Sequence, residues 1–174
     1  LLSLMAASAQ DQVLALANNI SWGLQNLAKR GIITRRTDMY GYTIDEDRSW
    51  YIVEDEAKVV REIFQLYMGG SEISDIILFL NRKGIKSPKG IDYWDPNTIR
   101  AMLRNEKYIG DYEYQRKYTV DTMTGKRRMN RGQVPKYYIE GHHIPIIEKH
   151  IYESVQKLIK ENRREPVPDA RKAG

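Results

Sequence analysis

The apolar pattern changes its period at Asn105, and that change limits the chain to a mixed α and β architecture. Upstream of it apolar residues recur at steps of three and four, the spacing of amphipathic helices. Downstream, residues 108–120 and 134–139 are rich in aromatic and β-branched side chains and read as strands. The expected fold is therefore α+β and mainly helical. It has a long N-terminal helix, a helix-turn-helix-like bundle and a small β-hairpin or sheet.

The first stripe runs through Leu2, Met5, Ala9, Val13, Leu16, Ile20, Leu24 and Leu27, and Gly31 stops it. A helix over residues 1–30 would be roughly 40 Å long at 1.5 Å per residue. A small core cannot cover that length, so part of the stripe needs another domain or a second copy of itself. The opening nine residues end in a small-x-small pattern but lack a basic segment before it, and they read as helix rather than secretion signal. No apolar run approaches the roughly 18 residues that span a membrane. The first residue is not Met, which suggests a chain cut from something longer.

Three further helices follow a basic linker over residues 31–43. Residues 54–68 turn Val59, Val60, Ile63, Phe64 and Tyr67 inward, with Glu54, Asp55 and Glu56 at the positive N-terminal end and Gly69-Gly70 as the stop. Ser71 reads as the N-cap of the next, which buries Ile73, Ile76, Ile77 and Leu80 and closes at Gly84. A turn-rich connection over residues 84–94 leads to Asp95-Pro96, a strong helix start. That helix buries Ile99, Met102 and Leu103 and presents Asn97, Thr98, Arg100 and Arg104. Residues 121–132, with Lys126, Arg127, Arg128 and Arg131 around Gly125, read as an exposed loop. Residues 142–147 read as a strand leading into a last helix from about Lys149 to Asn162, and residues 163–174 as a disordered tail.

Cysteine is absent, which excludes disulfides and thiolate metal sites. His142, His143, His150 and Glu148 match no standard zinc spacing. No serine has an obvious partnered base, and no Gly-rich phosphate loop occurs, so neither a catalytic residue nor a metal or cofactor is expected. The chain carries Lys+Arg 28 against Asp+Glu 23, a net charge of +5. Residues 44–62 are acidic, whereas 29–36, 82–89 and 100–131 are basic. A polyanionic partner fits this asymmetry.

Asn97, Thr98, Arg100 and Arg104 suit a helix reading base edges: Asn pairs with adenine, Arg with guanine, and Thr touches a thymine methyl. Arg35 and Arg36 suit a basic arm in or near a minor groove. Lys86, Lys89, Arg116, Lys126, Arg127 and Arg128 complete the candidate DNA-binding set, with Lys126, Arg127 and Arg128 on phosphates. The connection between the second and third of these helices exceeds the usual three- or four-residue turn.

A set of motifs appears in order: Gly41-Tyr42; Glu56-Ala57 with Val60-Arg61, Ile63-Phe64 and Tyr67; Leu80-Asn81 with Gly84-Ile85; Trp94, Thr98-Ile99, Met102-Leu103, Asn105, Tyr108 and Gly110; His143, Pro145-Ile146-Ile147; and Tyr152, Val155-Gln156. Over residues 40–162 this set resembles the recombinase domain of large serine recombinases, which include phage integrases and transposon resolvases. The resemblance implies site-specific DNA recognition for integration or excision. It also implies a first helix joining a catalytic domain upstream of Leu1 and helping subunits pair, and a cytoplasmic site of action. It places the nucleophilic serine upstream, so no catalytic residue carries over. The cysteine-bearing zinc ribbon usual downstream in the family has no counterpart here. The division expected is thus a connecting helix over 1–30, a linker over 31–43, a DNA-binding domain over 44–162 and a tail over 163–174. A transcriptional regulator and a protein-oligomerisation module are the competing readings.

Overall fold

The computed structural model describes residues 15, 19–20, 22–27, 30, 39–47, 49–121 and 124–162. Of the helix expected over residues 1–30, positions 15, 19, 20, 22–27 and 30 are described; all are helical except Arg30, which lies in a turn. Ile20 and Trp22 are exposed there, Trp22 by 70%. Arg35, Arg36 and residues 163–174 lie outside the described residues.

Four α-helices and three two-stranded antiparallel sheets follow. The order is β1 (Tyr42–Ile44), β2 (Trp50–Ile52), α1 (Glu54–Met68), α2 (Ile73–Arg82), α3 (Pro96–Leu103), a 3-10 turn (Glu106–Ile109), β3 (Tyr112–Tyr114), β4 (Lys117–Asp121), β5 (Lys126–Met129), β6 (Tyr137–Ile139) and α4 (Lys149–Asn162). β1 pairs with β2, β3 with β6 and β4 with β5. α1 is the hub, in contact with α2, α3 and α4. Its Ala57, Val60, Ile63 and Phe64 are fully buried beside Ile76, Leu80, Trp94, Ile99 and Val155. Full burial of one such aliphatic or aromatic side chain is worth about 1.5–3 kcal/mol, so this apolar cluster decides how the helices pack.

The helix ends follow from local chemistry. At the end of α1, Gly70 turns left-handed at φ 90, its N–H bonds to Tyr67 O, and the Ser71 N–H bonds to Leu66 O. The same double bond closes α2, from Gly84 N–H to Asn81 O and from Ile85 N–H to Leu80 O. Ser71 is therefore spent on closing α1. The residue flanking α2 is Glu72, whose side chain makes no capping hydrogen bond, in place of the expected Ser71 cap.

Several expected strands are corrected. Tyr108 and Ile109 lie in the 3-10 turn, because Asn105 Oδ1 accepts from the Lys107 N–H at 3.3 Å and Gly110 ends the turn at φ 85. A Cβ at Gly110 would stand 2.5 Å from the His143 carbonyl, so glycine is needed there on both counts. Residues 142–147 form no strand. Their N–H groups reach isolated carbonyls instead, His143 to Gly110 and both Ile146 and Ile147 to Tyr108, and Pro145 has no N–H to add to a ladder. The expected loop over 121–132 holds β5.

The stretch expected as the end of a linker belongs to the folded body. The Gly41 N–H donates to Glu56 Oε2 at 2.7 Å, and buried Tyr42 donates from Oη to Ile144 O at 2.8 Å. Tyr108 Oη donates to Tyr40 O at 3.0 Å. The β1–β2 hairpin was not anticipated at all, since the acidic turn between its strands hides two three-residue elements.

Candidate nucleic-acid interface

α3 begins as its first two residues dictate. Asp95 Oδ1 accepts from the Asn97 N–H at 2.7 Å, and Pro96 fills the first helical position, where no N–H is required. Losing such a cap costs typically about 1 kcal/mol. The far end is closed from α4: Gln156 Nε2 donates to Leu103 O at 2.7 Å and Tyr152 Oη to Arg104 O at 3.1 Å. These two bonds satisfy carbonyls that a helix end otherwise leaves unpaired. With Ile99, Met102 and Leu103 buried beneath it, the helix has one fixed orientation.

The opposite face is polar. Asn97 and Arg100 are exposed, Thr98 and Arg104 half-buried, and Ala101 exposed between them. Positions 97, 100, 101 and 104 follow the three-and-four spacing of a single stripe. Arg100 Nη1 lies 3.4 Å from Asn97 Oδ1 along it.

The connection before α3 is built rather than loose. Trp94, fully buried, donates from Nε1 to Ile85 O at 2.8 Å and pins the two ends together. Inside it the Gly90 N–H bonds to Ser87 O, and the Ser87 N–H bonds to Ile91 O. This is a tight turn with Pro88 and Lys89 at its corners, proline second and glycine fourth as such turns favour. Lys86 and Lys89 are exposed on it. Tyr40 meets Trp94 edge-on at 5.6 Å between ring centroids. A groove of about 360 Å³ results, lined by Tyr40, Pro88, Asn97, Thr98, Ala101 and Asn105 among others. The polar face of α3, the basic turn and the last residues before β1 thus converge. Tyr40 and Pro88 were not singled out from the sequence, since nothing local tells an aromatic lining a groove from one in a core.

The remaining candidates divide. Lys126, Arg127 and Arg128 all lie on β5 and are exposed along its length. Arg116 is engaged by the protein itself: its Nη1 sits 2.7 Å from Glu106 Oε2 and its Nε 3.7 Å from Glu113 Oε2. The pair ties Arg116 within the fold, because Glu106 is largely buried and needs that charge.

The histidine pair takes its place in an aromatic cluster. His143 stacks on Trp50 at 4.3 Å and meets Tyr42 edge-on at 4.9 Å. Its Nε2 lies 2.7 Å from Lys107 O, which can only accept, so Nε2 carries the proton and Nδ1 accepts from His142 Nδ1 at 3.1 Å. Burial holds the His143 pKa down at about 4, against the pull of the Lys107 carbonyl, and lowers that of His142 also. No group of three or more potential metal ligands occurs among the described residues, and none of their helices is long and apolar enough to cross a membrane.

A capped helix with a polar stripe, flanked by basic turns on an α+β body, defines a class of protein. Residues 54–162 match the Recombinase family, and the chain belongs to it. A candidate DNA recombinase of Bacillus subtilis (strain 168) is 29% identical over 126 residues, 69% of this chain and 25% of that protein. Two solved structures share the fold. One, a crystal structure of an LSR–DNA complex, has a TM-score of 0.56 at 22% identity, covering 82% of this chain and 38% of that one. The other, from work on sequence requirements of the Listeria innocua prophage attP site, has a TM-score of 0.61 at 21% identity, covering 85% and 54%. The chain thus spans a quarter to about half the length of these relatives.

Proposed function

We propose that this chain is the site-recognition part of a serine recombinase, binding double-stranded attachment-site DNA for integration or excision. The observation that carries the reading is the outward stripe of α3 with Asn97, Arg100 and Arg104, flanked by Thr98 and held by a cap at one end and by α4 at the other. Side chains on a helix fixed this firmly suit base edges in a major groove. Lys86 and Lys89, on the turn beside it, suit the flanking phosphates, as do the cations of β5. Arg35 and Arg36 precede Tyr40 by a few residues in a basic stretch of the sequence, and that composition suits a minor-groove contact. Family membership supports the reading, as do the two fold relatives, one from an LSR–DNA complex and one from work on a prophage attP site.

In this reading the serine nucleophile belongs to a part of the protein upstream of residue 1, and no cofactor takes part. The helix over residues 1–30 pairs subunits, a role that exposed Ile20 and Trp22 favour. The site of action is the cytoplasm, where bacterial or phage DNA is met.

Fluorescence anisotropy on a duplex selected by the chain from a randomised library tests the proposal. Arg100→Ala or Arg104→Ala should cost about 1–3 kcal/mol on that duplex and little on a scrambled one, whereas Lys126→Ala should weaken both alike. Equal affinity of the wild-type chain for the two duplexes would falsify sequence reading.

A further inference from the structure

The strand pairs β3–β6 and β4–β5 are consecutive parts of one long hairpin interrupted by a bend. The inner part is packed: Tyr112 is buried, and Tyr114, Tyr137 and Ile139 lean on the core. Every residue of β5 in the outer part is exposed. Between the two parts lie two residues on one side, Gln115 and Arg116, against seven on the other, residues 130–136.

Asn130 spans this bend. It is 3% exposed. Its N–H donates to Arg116 O at 2.9 Å, and its Nδ2 donates to Gln115 O at 3.0 Å and Val134 O at 2.7 Å. Its Oδ1 accepts from the Gly132 and Val134 N–H groups at 2.9 and 3.3 Å. Both side-chain donors and the acceptor are used, so the amide fits one geometry. Gln115 is held left-handed at φ 63, a conformation that costs energy outside glycine and persists where the surroundings impose it. The Arg116–Glu106 pair then ties the bend to the turn that directly follows α3.

The register sets the charges of the outer part. Lys117 faces Met129, Tyr118 faces Arg128, Thr119 faces Arg127 and, past a register shift, Asp121 faces Lys126 and offsets part of its charge. Cross-strand partners share a face and neighbours along a strand alternate. Lys117 and Arg127 therefore lie on one face, Lys126 and Arg128 on the other. A ribbon resting on the outside of a polyanion gains from cations on one face only. Cations on both faces suit surroundings that are negative on both sides. A DNA groove between two phosphate walls is such a place, and the major groove admits a two-stranded ribbon.

We propose that the β4–β5 ribbon enters a groove of double-stranded DNA next to the α3 contact, and that Asn130 is a positioning residue setting its angle. The inference rests on the reading that α3 binds duplex DNA. The test uses the full chain on the duplex it selects from a randomised library, with hydroxyl-radical footprints and salt titrations. The wild type should protect the α3 stretch and a second stretch beside it. Replacing Lys126, Arg127 and Arg128 with Ser should erase the second stretch and reduce the slope of log K against log salt by about 2 to 3. Asn130→Ala keeps every cation and should still erase that stretch, an effect that charge alone would not produce. Two double variants, Lys117→Ser with Arg127→Ser and Lys126→Ser with Arg128→Ser, should each weaken binding comparably. Loss from one face alone overturns groove entry, as does an unchanged footprint in the triple variant or a change confined to oligomeric state. If the wild type shows no sequence-dependent protection, the α3 reading fails and the inference falls with it.

Discussion

The helical body and the β4–β5 ribbon are both regular structure, yet different forces hold them. In the body, burial does it: Trp94, Phe64, Ile63 and Val60 have no exposed surface, and polar groups such as Tyr42 Oη and Gln156 Nε2 close bonds around that core. In the ribbon, β5 buries nothing, and its attachment is one asparagine and one arginine. An isolated two-stranded hairpin is marginally stable in water. Substitutions of buried residues in the body should therefore register as stability, and those of exposed residues in the ribbon as binding.

The largest effect expected is at Trp94. Trp94→Ala removes a fully buried indole and its bond to Ile85 O and should cost about 3–5 kcal/mol in denaturant unfolding. A cost below about 1 kcal/mol would break the comparison, since packing would then not dominate the body.

Acid sharpens it next. His143 titrates at about 4 in the folded chain and near 6.5 when unfolded, so the unfolded state takes up the proton first as pH falls. Its contribution to stability is complete above about pH 6.5 and is lost as pH drops towards 4. The charged groups facing it are Lys107 and Asp111, with His142 beside it. His143→Gln should flatten the melting temperature between pH 6.5 and 4. An equally steep profile in that variant would show that other groups set it.

The smallest effect is expected in the ribbon. Serine at Lys126, Arg127 and Arg128 together should move unfolding free energy by no more than about 0.5 kcal/mol, as exposed positions usually do. A larger loss would mean that the ribbon is part of the body after all.

The same contrast explains what could be read without coordinates. α1 and α4 run over Glu54–Met68 and Lys149–Asn162, the bounds their periodicity and flanking residues indicate. The Asp95-Pro96 start and the buried side of α3 were equally plain, because a cap and an apolar stripe are local facts. β5 was hidden because Lys126-Arg127-Arg128 carries no apolar alternation. Its strand character comes from backbone pairing with β4. The turn at Tyr108 and the irregular path of residues 142–147 were hidden for a related reason. Aromatic and β-branched residues there satisfy a core and distant carbonyls rather than a ladder.

Arg116 shows the limit most clearly. From its neighbours it is one cation among many in a basic stretch, and only the fold brings the buried Glu106 carboxylate to it. Chain order alone settles helix periodicity, the Asp95-Pro96 start and the uneven charge, because each depends on residues a few positions apart. Which cations remain exposed, which face of α3 is outward and how the ribbon is bent depend on groups far apart in sequence. Those were decided when the core closed and brought such groups within hydrogen-bonding distance.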